Sequence, residues 1–209
     1  MAAKNRRWSR RDFLKMAGIA GTGTFFSPGI RPANGSEATG VVPVRPFGNT
    51  GTEVPILSFG GSLDTSLSML VLRQAFKRGV TYWDTANTYM GGRSERGFGK
   101  YFKKYPDDRQ KIFLVTKTHA WTTEGMSDDL DLSLKRMKTD YIDLYFLHSV
   151  RRPDQLDDDL KSWAEQQKAA GKIRLFGFST HSNMAECLLG ASKLGWIDGI
   201  MMTYNYRLM

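Results

Sequence analysis

From Val44 onward the chain alternates short runs of β-branched and aromatic residues with amphipathic stretches of helical length, about six times over. That rhythm constrains the fold more than any other feature. Strands separated by a helical crossover pair in parallel, and parallel sheets need helices on their faces. The spacing predicts strands over Ile56 to Phe59, Thr81 to Asp84, Ile112 to Thr116, Ile142 to Leu147, Leu175 to Phe178 and Ile200 to Tyr204. Between them it predicts a helix carrying Leu67, Leu70, Val71, Gln74, Ala75 and Lys77 and ended by Gly79. Further helices are expected over Glu95 to Tyr105, Ser127 to Met137, Gln155 to Ala170 and Asn183 to Leu194. Ahead of the first strand, Asn49-Thr50-Gly51 between Arg45-Pro46-Phe47 and Val54-Pro55-Ile56 reads as a β-hairpin turn.

Two architectures accommodate this alternation, an open doubly wound sheet and a (β/α)8 barrel. A dinucleotide-binding open sheet carries a glycine-rich turn after its first strand, and Gly60-Gly61-Ser62 lacks the third glycine and the spacing. Ionisable residues instead close successive strands: Asp84, Lys117 and His148, with Tyr89 on the loop after Asp84. Catalytic groups drawn from the ends of different strands are the habit of barrels. The expected fold is α/β, an incomplete (β/α)8 TIM barrel of about six strands behind an N-terminal hairpin. A full barrel takes about 250 residues, and roughly 170 follow the first 40 here. The chain is therefore expected to be a piece of a longer protein, or to have its open edges covered by another chain.

Taken one at a time, the strand-end residues have plain explanations: an Asp–Lys pair is often structural, a Tyr often a core residue with a wet tip, a His often a satisfied polar group. In order and at successive strand ends they point elsewhere. Asp84 in Trp83-Asp84-Thr85-Ala86-Asn87-Thr88-Tyr89, with Tyr89 itself, Lys117 in Val115-Thr116-Lys117-Thr118, and His148 in Tyr145-Phe146-Leu147-His148 match the Asp-Tyr-Lys-His tetrad of the aldo/keto reductase family. Gly91-Gly92-Arg93-Ser94-Glu95, Asp140-Tyr141-Ile142-Asp143-Leu144, Gly177-Phe178-Ser179 and Tyr204-Asn205 extend the resemblance from Val44 to about Asn205.

The resemblance implies an NADP(H)-dependent oxidoreductase that reduces aldehydes or ketones by hydride transfer. Tyr89 would act as general acid. A phenol is a poor acid at neutral pH, with an ordinary pKa of ~10, and Lys117 beside it would favour the phenolate. Asp84 would hold the ammonium in place, and His148 would orient the carbonyl. Gly61, Ser62, Asp84, Ser179 and Thr180 would meet the cofactor. Two departures stand out. Thr180 occupies a position that is usually Asn in the family, and Met201 one that is often Gln, so each loses an amide. They motivate a rival reading, a noncatalytic scaffold that senses nucleotide or interacts with another protein.

His119 and Trp121 either shape the pocket or belong to a surface loop. His181 has no Cys, His or carboxylate near it at metal-ligand spacing, so no metal is assigned. Cys187, the only cysteine, reads as a small buried residue on its helix.

The net charge of +9 hints at nucleic acid, but the first 31 residues set Lys4, Arg6, Arg7, Arg10, Arg11, Lys15 and Arg31 against Asp12 and supply six of the nine charges. The remaining +3 makes no basic face, and no nucleic acid partner is expected. Ser9-Arg10-Arg11-Asp12-Phe13-Leu14-Lys15, followed by the uncharged run Met16 to Ile30, resembles a bacterial twin-arginine signal. The run falls short of the ~20 residues that span a bilayer, which argues against a stable membrane anchor. Residues 1–40 are thus expected to be a signal with its cleavage region, and 41–209 the barrel. The resemblance implies engagement of the twin-arginine export machinery and a periplasmic location.

Overall fold

A computed structural model describes residues 41–205; the twin-arginine segment lies outside them. The strands are β1 (Val44–Pro46), β2 (Glu53–Pro55), β3 (Ser58–Gly60), β4 (Tyr82–Asp84), β5 (Phe113–Thr118), β6 (Ile142–Leu147), β7 (Ile173–Thr180) and β8 (Gly199–Met202). The helices are α1 (Met69–Lys77), α2 (Arg93–Lys104), α3 (Thr123–Met137), α4 (Asp158–Ala169) and α5 (Met184–Ala191). β1 and β2 form the antiparallel hairpin around Thr50. The other six strands pair in parallel in sequence order, β3 to β8, and curl into part of a barrel with β3 and β8 at its edges.

Because side chains alternate across a strand, the sheet serves two cores. Leu114, Tyr145, Leu147, Phe176 and Phe178 point outward and are sealed by the helices through Leu130, Met137, Leu160 and Trp163. Phe113, Val115, Leu144 and Phe146 point inward and are closed at the base by Val54 and Phe47 of the hairpin, with Phe47 5.7 Å from Phe113 between ring centroids. The inward series therefore runs Tyr82–Asp84, Phe113–Val115–Lys117, Leu144–Phe146 and on to His148, and Leu175–Gly177–Ser179. Its apolar members fill the base and its polar members arrive together at the C-terminal ends.

The structure shifts several predicted boundaries. The first barrel strand begins at Ser58, and Ile56 and Leu57 are exposed rather than buried. β5 runs two residues further than expected, so Lys117 lies within the strand. α3 starts four residues early, where the Thr122 hydroxyl caps it by accepting from the Gly125 N–H. The helix read from Leu67, Leu70 and Val71 is turned over. It starts at Met69, buries Leu72 completely, and leaves those three exposed, Leu67 at 86%. Gln155 belongs to a short turn, and α4 starts at Asp158 behind an Asp157 cap. β8 ends at Met202, so Tyr204 lies beyond the strand, exposed. Among the described residues no helix is long and apolar enough to cross a membrane.

Candidate active site

Asp84, Lys117 and His148 stand side by side at the ends of β4, β5 and β6, and the loop after β4 swings Tyr89 over them. The Lys117 ammonium, completely buried, donates to both oxygens of Asp84 at 2.6 and 2.8 Å and to the Thr85 carbonyl at 2.7 Å. That satisfies all three of its protons. It also sits 5.1 Å from the centroid of the Tyr89 ring. The Tyr89 ring meets His148 edge-on at 5.9 Å.

Burial raises the Asp84 carboxyl and lowers the Lys117 ammonium, and in each the partner's charge pulls the other way. The two-oxygen contact keeps the pair ionic. For Tyr89 the sequence-based expectation of a phenol acidified by Lys117 is not met. Burial and then the Asp84 charge lift it above 10, because the lysine's charge is already matched by the carboxylate. The phenol is accordingly held protonated at neutral pH.

His148 is 6% exposed, and its Nδ1 is buried without a partner among the described residues. Burial first, then His119, Lys117 and His181, push its pKa down to about 3. It is therefore a neutral ring across the physiological range. His119 and Trp121, left open by the sequence, part company here: the His119 ring stacks on His148 at 4.1 Å, while Trp121 is half exposed on the loop beyond.

This has a consequence in acid. The folded pKa of about 3 lies below the ordinary ~6.5, so between these values the unfolded chain binds the extra proton and stability falls as pH falls. Replacing His148 with Gln removes that dependence. The loss of unfolding free energy between pH 6.5 and 4.5, measured by urea titration, is expected to be smaller in His148→Gln by on the order of 1–2 kcal/mol. Equal losses in the two proteins would contradict the assignment.

The residues expected to meet a cofactor divide. Ser179 lies at the inward end of β7, where its oxygen accepts from the Ser149 N–H at 3.0 Å. Ser62 is exposed at the rim. Gly61 is committed to structure: its N–H bonds the Asp84 carbonyl, its carbonyl accepts from Ser94, and an added Cβ would lie 2.5 Å from the Asp84 oxygen. Thr180 points outward, fully buried, its hydroxyl donating to the Ser182 carbonyl at 2.8 Å. Met201 faces the inner core. Cys187 is completely buried, as expected. Among the described residues no group of three or more His, Cys, Asp or Glu is placed to hold a metal.

Behind the tetrad is a polar layer that carried no role in the sequence reading. Glu95 is fully buried; one oxygen accepts from Thr116 at 2.8 Å and the other pairs with Arg136 at 3.0 Å. Its signal was legible in part, since Glu95 shares a helical face with Phe98 and Phe102, both buried.

A parallel α/β half-barrel with an Asp–Tyr–Lys–His constellation at its strand ends defines the class. Residues 56–209 match the model of the aldo/keto reductase family, and the chain belongs to that family. Among curated relatives, the aldo-keto reductase yakc [NADP(+)] of Schizosaccharomyces pombe is 34% identical over 187 residues, 78% of this chain and 52% of that protein. The aldo-keto reductase YhdN of Bacillus subtilis is 37% identical over 135 residues, 58% of this chain and 39% of that protein. Among solved structures, the holo form of aldo-keto reductase AKR11C1 from Bacillus halodurans superposes with a TM-score of 0.69 at 29% identity, covering 78% of this chain and 58% of that one. The chain spans about half the length of the curated relatives it matches.

Proposed function

We propose that the chain carries the catalytic half of an NADP(H)-dependent reductase of aldehydes and ketones, exported by the twin-arginine route to the periplasm. The observation that carries the reading is the convergence of Tyr89, His148 and the Asp84–Lys117 pair on one rim. The exported location rests on the motif around Arg10 and Arg11.

The polar groups at the strand ends suit a flat, amide-bearing ring. The Ser179 and Ser62 hydroxyls would hold the nicotinamide end, beside Asp84. When bound, the reduced cofactor supplies the hydride. Neutral His148 keeps an N–H to give to the carbonyl oxygen, orienting it and drawing its electrons. Tyr89 then passes its phenolic proton to that oxygen. The Lys117 ammonium lies 5.1 Å from the centroid of the Tyr89 ring, and Asp84 keeps it from turning away.

The test is titration of the full chain with NADPH, and separately NADH, followed by quenching of tryptophan fluorescence. A panel of aldehydes and ketones is then offered while NADPH oxidation is recorded. Saturable quenching with stoichiometric alcohol formation is expected. Saturable quenching with no turnover of any carbonyl would favour the nucleotide-sensing scaffold, the reading supported by Met201 and by the buried, committed hydroxyl of Thr180.

A further inference from the structure

We infer that Arg136, working with Glu95, is a positioning residue for Tyr89: it holds the Tyr89 loop in a strained conformation without touching the reacting atoms. The inference rests on the reading of Tyr89 as proton donor.

The strain lies immediately after the tyrosine. Met90, Gly91 and Gly92 are three consecutive left-handed residues, with φ of 52°, 61° and 80°. For the glycines this is free, but for Met90, with a Cβ, it is strained. Such backbone persists only where the surroundings enforce it, and it gathers at functional sites.

Arg96 bonds the Gly91 carbonyl from the solvent side at 2.8 Å, and from the protein side the turn rests on the Arg136 guanidinium, reaching in from the end of α3. Its Nη1 donates to the Asn87 carbonyl at 2.9 Å, two residues before Tyr89, and pairs with Glu95 at 3.0 Å. It also lies directly beneath the strained turn, since a Cβ on Gly92 would come within 2.5 Å of its Cζ. Gly99 lets α2 close on the same residue, where an added Cβ would sit 2.1 Å from the Arg136 carbonyl oxygen.

Glu95 carries the linkage onward. Its second oxygen takes the hydroxyl of Thr116, the neighbour of Lys117, while the Asn87 N–H bonds the Lys117 carbonyl at 3.0 Å. One buried carboxylate and one guanidinium thereby fix the Tyr89 loop relative to the strand that carries Lys117.

The arrangement is kept at a cost. Arg136 Nε and Asn87 Oδ1 are buried and without partners among the described residues, which is unfavourable for each. Groups left unsatisfied beside a strained turn mark a position held for geometry rather than for stability.

The decisive variant is Arg136→Lys, which keeps a positive charge opposite Glu95 and so should fold. It ends in a single nitrogen on a flexible stem and lacks the planar guanidinium that packs against Gly92 while its Nη1 reaches Glu95 and Asn87. In the full chain it is expected to lower kcat by roughly 30- to 100-fold while the KM for NADPH moves less than about threefold. In a Tyr89→Phe background the same change is expected to cost less than about twofold, because the residue acts through the tyrosine. Equal fractional losses in the two backgrounds overturn the inference. Amide exchange over residues 85–92 is measured alongside and needs no turnover. These amides are expected to lose protection in Arg136→Lys while those of β5 and β6 keep theirs, and unchanged protection overturns the inference on its own. A wild-type chain without activity would defeat the proposed function and would show as zero turnover in every variant, which exchange distinguishes from a failure of the clamp.

Discussion

Tyr89→Phe is expected to lower kcat for carbonyl reduction by roughly a hundred- to ten-thousand-fold, the usual worth of a positioned general acid, while leaving the fold and the KM for NADPH nearly unchanged. The substitution removes one oxygen and nothing else. The ring stays to meet His148 edge-on and to lie beside the Lys117 ammonium, so packing survives. The pH profile separates this role from a merely structural one. Because burial and Asp84 raise the phenol above 10, reduction should stay level through neutral and mildly alkaline pH and fall only as the phenol ionises. The reverse oxidation should rise over the same interval. Steady-state kinetics in both directions check this, and a Phe variant with wild-type kcat would remove Tyr89 from the mechanism.

The second large effect concerns stability. The side chains of Lys117 and Asp84 are 1% and 13% exposed, and breaking a buried pair by deleting one partner costs about 3–5 kcal/mol, since a desolvated charge is left behind. Asp84→Asn and Lys117→Met should each lower the unfolding free energy at pH 7 by an amount in that range. The double variant should recover more than half of the summed loss. In Asp84→Asn the sign of the pH dependence is set by Lys117, which burial already pushes down. The unfolded chain holds the proton to higher pH than the folded one, so the penalty shrinks as pH rises. Urea unfolding of the three variants decides it, and simple additivity would show that the two groups are not coupled. All three should be inactive, which separates a stable scaffold from a working one.

Much of this could be read from the sequence where a residue's fate is local. β6 has the predicted boundaries because Ile142 to Leu147 is a short buried run set off by polar residues on the N-terminal side and by His148 on the other. Asp84, Lys117 and His148 could be placed near one rim because their types and their positions at successive strand ends are visible in the chain, with Tyr89 on the loop after the first of them. What depends on a partner far away was not visible. Leu67, Leu70 and Val71 have helical spacing, but spacing cannot say what lies on either side, and the inward residue is Leu72. Thr180 resembles its neighbour Ser179 in sequence and differs from it by one strand position, which turns it toward the helices. The acidity of Tyr89 depended on whether Lys117 was already paired. The Glu95–Arg136 contact joins residues 41 positions apart, beyond the reach of any local pattern.

The alternation of inward and outward side chains also gives the site a reading frame. Asp84, Lys117 and Ser179 reach the rim only because each is in phase with the apolar residues below it: Tyr82, Phe113 and Val115, Leu175. Residues added to the loops beyond the strand ends leave that phase untouched, so the loops are free to diverge and choose substrates. A single residue added within β5 would aim Thr116 or Thr118 inward and turn the lysine toward the helices. The strands therefore act as a code read two residues at a time, in which a substitution alters one position but an insertion shifts every later residue of its own strand.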